Sequence, residues 1–540
     1  MKIASLIKVF RFIYLFVRNK GITYTVSKAI SLLNDKGLKG FKSSYIVASR
    51  DLNLPNNLST NTSDYFNEVT SSYLPSKFFK DFEKHDFSVS GFQTKLICFY
   101  LPQFHPFKEN DDFWGAGFTE WTNVTKSYPL FRGHNQPRYP KDLGYYDLRL
   151  PETLAKQAEI AKNYGIYGFC IHYYWFSGLK VMETPLNLIF ANKHIDIKFC
   201  ICWANENWTR RWDGNDQDIL LKQLDHHDDY LKFITDIEVY FHDERYIRVN
   251  DCPMLVIYRA ELLKDPPKAS KIWKEYVKNK GFKDLHLVLT ESFSSVDPTH
   301  LNFDAAVDFA PNTFPMEEVS DKKSFYHSNF RGRVFNYLDA VQSSLTKNKD
   351  YPFYKSICLE WDNTARKSER ATILDGCIPE VFRKWLWELM NNNPLNNIIF
   401  INAWNEWAEG TYLEPDSRNG YAYLQKCYEV LNLQELLKFN NSSDTRFRSP
   451  KAIYVHIHYF DVYLEMKERL IQLANQYHFI FSVTDNISSI KVGELKADFP
   501  NSEIYPFRNI GRDILPFIQL MNDGKFDEFE LVCKVHTKKS

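Results

Sequence analysis

Eight short runs rich in β-branched and aromatic residues recur between residues 91 and 440, and stretches of helical period lie between many of them. The runs fall at 95–104, 165–176, 198–208, 253–259, 285–293, 305–312, 355–362 and 397–406. Strands alternating with helices bury a parallel sheet under its own crossovers, and eight such pairs close most naturally into a (β/α)8 barrel. The stretch 151–164 shows the helical signature well, with Pro151 in its first turn and Ala155, Ala158 and Ala161 inside. The predicted fold is therefore α/β. A TIM-like barrel spans 91–440, preceded by a short basic helical segment at 1–50 and a linker at 51–90, and followed by an incomplete α/β domain at 451–540.

Barrel chemistry sits at the C-terminal ends of the strands, where the loops converge on one mouth. The ends of seven of the eight runs read Gln103-Phe104-His105, His172-Tyr173-Tyr174-Trp175, Trp203-Ala204-Asn205-Glu206-Asn207-Trp208, Tyr258-Arg259, Glu291-Ser292, Glu360-Trp361-Asp362-Asn363 and Asn405-Glu406-Trp407-Ala408-Glu409. Polar residues that merely mark a strand leaving the core account for one or two such ends. They account poorly for seven.

Cleaving or forming a glycosidic bond requires a proton donor at the bridging oxygen and a second carboxylate that acts on the sugar. Glu406 and Glu409 are the candidate pair, with Trp404 and Trp407 beside Glu406. Indole faces stack on sugar C–H faces and exclude water, which helps one carboxyl keep its proton. Glu206 stands in a similar setting between Trp203 and Trp208. A lone acid beside a Trp is more often a salt bridge or a cap; two acids in a run so poor in core residues argue otherwise. Arg210, Arg211, Arg259 and Arg366 are candidates for gripping a phosphate or sugar carboxylate, with a structural ion pair as the alternative for each.

Composition narrows the partners. Lys and Arg total 67 and so do Asp and Glu, which leaves no basic footprint for nucleic acid. Aromatic residues make up 16% of the chain, too many for bulk disorder. The nine cysteines form no pair of C-x-x-C motifs and read as reduced thiols of a cytoplasmic protein. No Walker run and no complete G-x-G-x-x-G is present. Asp216-Gln217-Asp218 is a weak D-x-D, and the acid and histidine run 225–229 reads as a solvated helix start, so neither a cofactor nor a metal is expected. Residues 1–34 carry six Lys and Arg and no acid, which suits a helix lying on the inner membrane surface; a helix docked on the barrel is the alternative.

The runs YLPQFHPFKENDDFWGAGFTEWTNV (100–124), GFCIHYYWF (168–176), CWANENWTRRWDG (202–214), WDNTAR (361–366) and NAWNEWAEGTYLEPD (402–416) together resemble the WbsX-type glycosyltransferase group, whose barrel is related to glycoside hydrolase family 99. That family consists of retaining endo-α-mannosidases, and WbsX-type proteins are associated with bacterial O-antigen and capsule assembly. The resemblance implies that Glu406 is the base at the sugar 2-hydroxyl and Glu409 the acid at the departing oxygen. The strand ends and matched runs supply the expected substrate-binding set: His105, Glu120, Trp121, His172, Tyr173, Trp175, Trp203, Asn205, Glu206, Trp208, Arg210, Arg211, Asp362, Asn405, Trp407 and Glu414.

From residue 452 the chain reads strand (452–460), helix (463–476), strand (478–484), strand (503–508), helix (512–522) and strand (530–536). The runs YVHIHYFD, FSVTD, RNIGRDILPF and CKVHTKKS resemble the amino-terminal part of rhamnan synthesis protein F, so the domain is expected to continue past Ser540. His456 and His458 on one strand face, with Asp513 after the Gly511 turn, are candidates for contact with a sugar nucleotide.

The expected function is glycosyl transfer in cell-surface polysaccharide or lipopolysaccharide synthesis, on a glycan or glycolipid with a sugar-nucleotide donor. The alternatives are a family 99-type endo-α-mannosidase and a non-catalytic glycan-binding protein. The expected location is the cytoplasm, peripheral to the inner membrane.

Overall fold

The computed structural model describes residues 62–87, 89–210, 215–223, 227–326, 328–392, 394–440 and 449–538. The chain divides into two compact units, Met1–Phe66 and Asn67–Ser540. The second carries all that follows; the N-terminal segment expected at 1–50 lies outside the described residues.

Eight parallel strands form a closed barrel: β1 (Lys95–Tyr100), β2 (Ile166–Phe176), β3 (Lys198–Trp203), β4 (Cys252–Ile257), β5 (His286–Glu291), β6 (Ala305–Asp308), β7 (Phe353–Cys358) and β8 (Ile398–Asn402). Each pairs with its neighbours in chain order, and β1 closes the ring on both β2 and β8. Apart from their first residues, β1, β3, β4 and β5 are buried throughout, as expected where side chains point either into the barrel or under the surrounding helices. That double burial also explains where the sequence reading overran. Seven of the eight predicted runs reach two or more residues past the strand ends, because the loops there are also aromatic and buried.

The helices used below are α1 (Glu120–Thr125), α2 (Pro151–Asn163), α3 (His227–Phe241), α4 (Thr364–Lys367), α5 (Pro379–Asn391), α6 (Ala422–Asn440), α7 (Phe460–Ile471), α8 (Ser489–Asp498) and α9 (Ile514–Asn522). α2 and α5 both begin with Pro, whose missing N–H costs nothing in a first turn. α2 buries Leu154, Gln157, Ala158, Ile160 and Ala161 at helical spacing against the barrel.

A second, four-stranded parallel sheet follows, built from β9 (Lys451–Ile457), β10 (His478–Thr484), β11 (Glu503–Phe507) and β12 (Leu531–His536) in the order β11-β10-β9-β12. α7 and α8 cover one face with Ile453, Val455, Ile457, Phe481 and Val483; α9 covers the other with Tyr454 and Ile480. The sequence reading missed α8, whose only buried residues are Val492 and Leu495, too few to set a visible period. α6 belongs to both halves. It packs on α5 of the barrel and on β11 and α8 of the second sheet. Its Asn432 amide donates to the carbonyls of Asp485 and Ile487 and accepts from the Ser489 N–H.

Six of the nine cysteines are buried thiols, and only Cys533 is exposed. Among the described residues, no helix is long and apolar enough to cross a membrane.

Candidate active site at the barrel mouth

Three loops at the strand ends bring charged side chains together. The loop after β1 supplies Glu120 in α1, a helix begun by Thr119, whose hydroxyl accepts the Trp121 N–H. The loop after β7 supplies Arg366 in α4, and the turn after β8 supplies Glu406 and Glu409. Arg366 Nη1 donates to Glu409 Oε1 at 2.5 Å, while Nη2 lies 3.3 Å from Glu406 Oε2 and 3.1 Å from Glu120 Oε2. One buried guanidinium thus faces three carboxyls. The Asn123 side-chain amide donates to the remaining Glu120 oxygen at 3.3 Å.

Three carboxylates around one cation leave an excess of negative charge in a desolvated place. Burial raises the Glu406 pKa well above its ordinary value; Arg366 opposes the shift, and Glu409 and Glu120 reinforce it. Burial likewise works against the Arg366 charge, but Glu120, Glu406 and Glu409 together hold it protonated. The cluster therefore carries a proton at a pH where an exposed glutamate would not, the property a general acid–base pair needs.

The scaffold beneath is rigid. Burial acts to raise the Asp362 pKa, yet His134, Arg138 and Thr364 overcome it and hold the carboxyl well below the usual carboxylate range. Asp362 accepts from the Thr364 N–H at 3.0 Å, which folds the short α4 turn, and its own N–H donates to the Glu409 carbonyl at 2.7 Å. The loops carrying Arg366 and the Glu pair are therefore locked to each other. Gly410 makes this approach feasible: its φ is +67°, and a Cβ there would stand 2.9 Å from Asp362 Cβ.

The expected substrate-binding residues divide by location. Tyr174, which the sequence set omitted, reaches the site: Glu406 and Arg366 both act on its buried phenol, as does Tyr258. Tyr258 in turn feels Glu206 and Glu409. His172 stands edge-on to Tyr258 at 5.8 Å, and Trp208 lies 6.3 Å from Tyr174. Glu206, Trp208, His172, Tyr174 and Tyr258 therefore line the same mouth as the Glu pair. The period of two along β2, with His172 and Tyr174 on one face, was the available signal.

Tyr173, Trp175 and Trp203 point the other way. Trp203 stacks on Phe233 of α3 at 4.1 Å, Trp175 donates to Asp236 at 2.7 Å, and Tyr173 sits 6.5 Å from Phe233. They form the packing between strand and helix. Trp404 and Trp407, read as sugar platforms, are also fully buried. Trp407 stacks on Tyr412 at 3.8 Å and donates its indole N–H to Glu414 at 2.6 Å. Glu414 accepts further bonds from Tyr146 and Gln157, and burial pushes its pKa up to about 7. Trp121 belongs to this packing too, donating to the Tyr146 carbonyl at 2.8 Å.

Asn205 and Asn405 act as stitches. Asn405 exchanges two bonds with the Leu101 backbone, and Asn205 two with the Arg259 backbone, each joining one strand end to its neighbour. His105 is buried beside Phe107, and burial pushes its pKa down to about 4. Arg259 is committed to Glu206 and Glu261. Glu291 and Asp308, at the ends of β5 and β6, are tied to Lys347 and Lys349. The Arg210 side chain and all of Arg211 lie outside the described residues, as do Asp225 and His226.

The fold is a parallel (β/α)8 barrel with paired acids at its mouth, and the family match places it in the class of carbohydrate-active enzymes. The chain belongs to the WbsX glycosyltransferase family, whose model matches residues 96–427. A second model, rhamnan synthesis protein F, matches 424–540. The uncharacterized protein WxcX of Xanthomonas campestris pv. campestris strain B100 is 39% identical over 453 residues, which cover 82% of this chain and 64% of WxcX; strain ATCC 33913 has a WxcX that is 38% identical over the same share. The chain thus spans somewhat under two thirds of the length of these relatives. Among solved structures, a glycoside hydrolase-like protein aligns with TM-score 0.43 and 13% identity over 66% of this chain and 98% of its own. The GH99 endo-alpha-mannosidase from Bacteroides thetaiotaomicron aligns with TM-score 0.40 and 14% identity over 62% and 96%.

Proposed function

We propose that the barrel transfers a glycosyl group during assembly of a bacterial cell-surface polysaccharide such as an O-antigen or capsule. The acceptor is a glycan or glycolipid and the donor a sugar nucleotide, at the cytoplasmic face of the inner membrane. The single observation that carries the reading is the Arg366 clamp on Glu406, Glu409 and Glu120 at the mouth. In the reaction Glu406 accepts the proton of the sugar 2-hydroxyl, and Glu409 protonates the departing oxygen and then activates the acceptor.

Burial favours the proton on Glu406, whereas this mechanism needs the donated proton on Glu409. The Glu409 charge acts to raise the Glu406 pKa and Arg366 to lower it, so the proton on Glu406 senses both neighbours. A sugar hydroxyl arriving at Glu406 donates to its carboxylate and lowers the cost of ionising it. Substrate binding would then move the proton to Glu409. Glu206, Tyr174, Tyr258, His172 and Trp208 line the sugar's path.

Hydrolysis is the second reading, favoured by the same pair of glutamates. Mass spectrometry of products separates the two. Transfer yields an acceptor heavier by one glycosyl residue, dependent on an added sugar nucleotide. Release of reducing sugar from an α-mannan, with no donor present, would instead establish a hydrolase.

A further inference from the structure

The four-stranded sheet has its own topological switch point. From β9 the chain winds outward through β10 to β11 with α7 and α8 on one face, then returns through α9 on the opposite face to place β12 on the other side of β9. Crossovers leaving on opposite faces open a crevice at the C-terminal ends of the two strands between them, here β9 and β12. In open parallel sheets that crevice is where ligands bind.

The side chains gathered there are unlike those of the rest of the sheet. His456 and His536 are register partners on neighbouring strands. On the α9 face, His456 is buried with Nδ1 2.8 Å from Ser482 Oγ, and Ser482 also meets the Tyr454 hydroxyl at 2.6 Å. Lys534, two residues before His536, donates to Asp513 Oδ2 at 2.7 Å, and His536 Nδ1 lies 3.7 Å from the same oxygen. His458 Nδ1 stands 3.1 Å from Thr484 Oγ1. The Lys534 ammonium and the His536 and His456 imidazoles thus sense one carboxylate, with His458 beside His456. Asp513 occupies the N-cap of α9 without making a capping bond, its carboxylate being drawn to Lys534. The site has a buried polar floor and an accessible rim: the side chains of His536 and Lys534 are 41% and 29% exposed.

We propose that this crevice is a second ligand site, independent of the barrel mouth, which takes a phosphate- or diphosphate-bearing group. A phosphate oxygen would accept from the Lys534 ammonium and from a ring N–H of His536, with the α9 N-terminus adding favourable potential. Burial pushes the His456 pKa down to about 4, with Asp513 opposing and Lys534 and the neighbouring histidines reinforcing the shift. An arriving anion would reverse that balance. The crevice also faces usefully. Arg508 after β11 pairs with Glu380 in the first turn of α5 at 2.6 Å, and Asp485 after β10 lies 3.8 Å from Arg383. The strand ends of the small sheet therefore sit beside the N-terminal turn of a barrel helix, the end at which the mouth opens.

The test is calorimetric titration of the full chain with inorganic pyrophosphate, a nucleoside diphosphate and a short prenyl diphosphate. The two organic probes distinguish a sugar-nucleotide source from a lipid-linked one. Saturable binding of at least one probe is expected, weakened tenfold or more by Lys534→Met and by His536→Gln. Both crevice substitutions lie on the accessible rim, and circular dichroism checks that they fold. Absence of binding by all three probes at millimolar concentration would overturn the proposal, as would equal binding by the rim variants.

Discussion

Arg366 Nη1 lies 2.5 Å from Glu409 Oε1, and the same guanidinium reaches Glu406 and Glu120. Removing this cation would leave three buried carboxyls facing one another. Arg366→Met is expected to cost about 3–5 kcal/mol of stability near pH 7.5, the usual consequence of breaking a buried pair from one side. The deficit should be smaller near pH 5, since proton uptake relieves repulsion among carboxyls that have lost their cation. Urea unfolding at the two pH values measures both. Equal deficits would mean that repulsion among the carboxyls is not what the Arg366 cation offsets.

Glu414 predicts a second pH effect. Its pKa in the fold is about 7 against an ordinary 4.5, so the native state binds this proton more tightly than the unfolded chain. The associated stability is fully present below about pH 4.5 and is lost as pH rises through about 7, a swing of roughly 3 kcal/mol at 1.36 kcal/mol per pH unit. Glu414→Gln should flatten that part of the profile. It should also lower stability by about 1–3 kcal/mol at pH 5, since an amide offers Trp407, Tyr146 and Gln157 one acceptor oxygen in place of two. A mutant profile parallel to the wild type would exclude Glu414 as the source.

Gly410 joins the catalytic turn to the Asp362 loop. Gly410→Ala combines a strained positive φ with a contact at 2.9 Å against Asp362 Cβ, which must push the two loops apart. A stability loss of about 1–3 kcal/mol is expected, with a fall in turnover larger than any change in KM, since the displaced groups are those proposed to act on the bond being broken. Thermal unfolding and steady-state kinetics read the two effects separately.

Much of the barrel was legible in the sequence because a parallel strand between helices leaves a continuous apolar run, and all eight runs contain a strand. What the runs could not reveal was direction. Tyr173 and Trp175 are as aromatic as Tyr174, yet they face α3 while Tyr174 faces the mouth; in a strand buried on both sides, hydrophobicity carries no inside or outside label. The tryptophans beside Glu406 misled for the same reason. Trp404 and Trp407 are core, and their nearness in sequence to the acid says nothing about which surface they offer. Composition and resemblance single out Glu406 and Glu409 as candidates, but they do not reveal the counter-charge between them. Arg366 lies 40 residues before Glu406 and its partner Glu120 another 246 residues before that, and only closure of the barrel brings the three together.

The paired glutamates are tested most directly by turnover of Glu406→Gln and Glu409→Gln on a donor and acceptor that the wild-type protein converts. Each amide keeps the shape of the site, and Glu406→Gln also mimics the protonated form that burial favours, so both variants should remain folded. Loss of glycosyl transfer by about 10²–10⁴-fold in each, with native circular dichroism spectra, is the expected result. Turnover within a few-fold of wild type in either variant would contradict the assignment of the barrel mouth as the reaction centre.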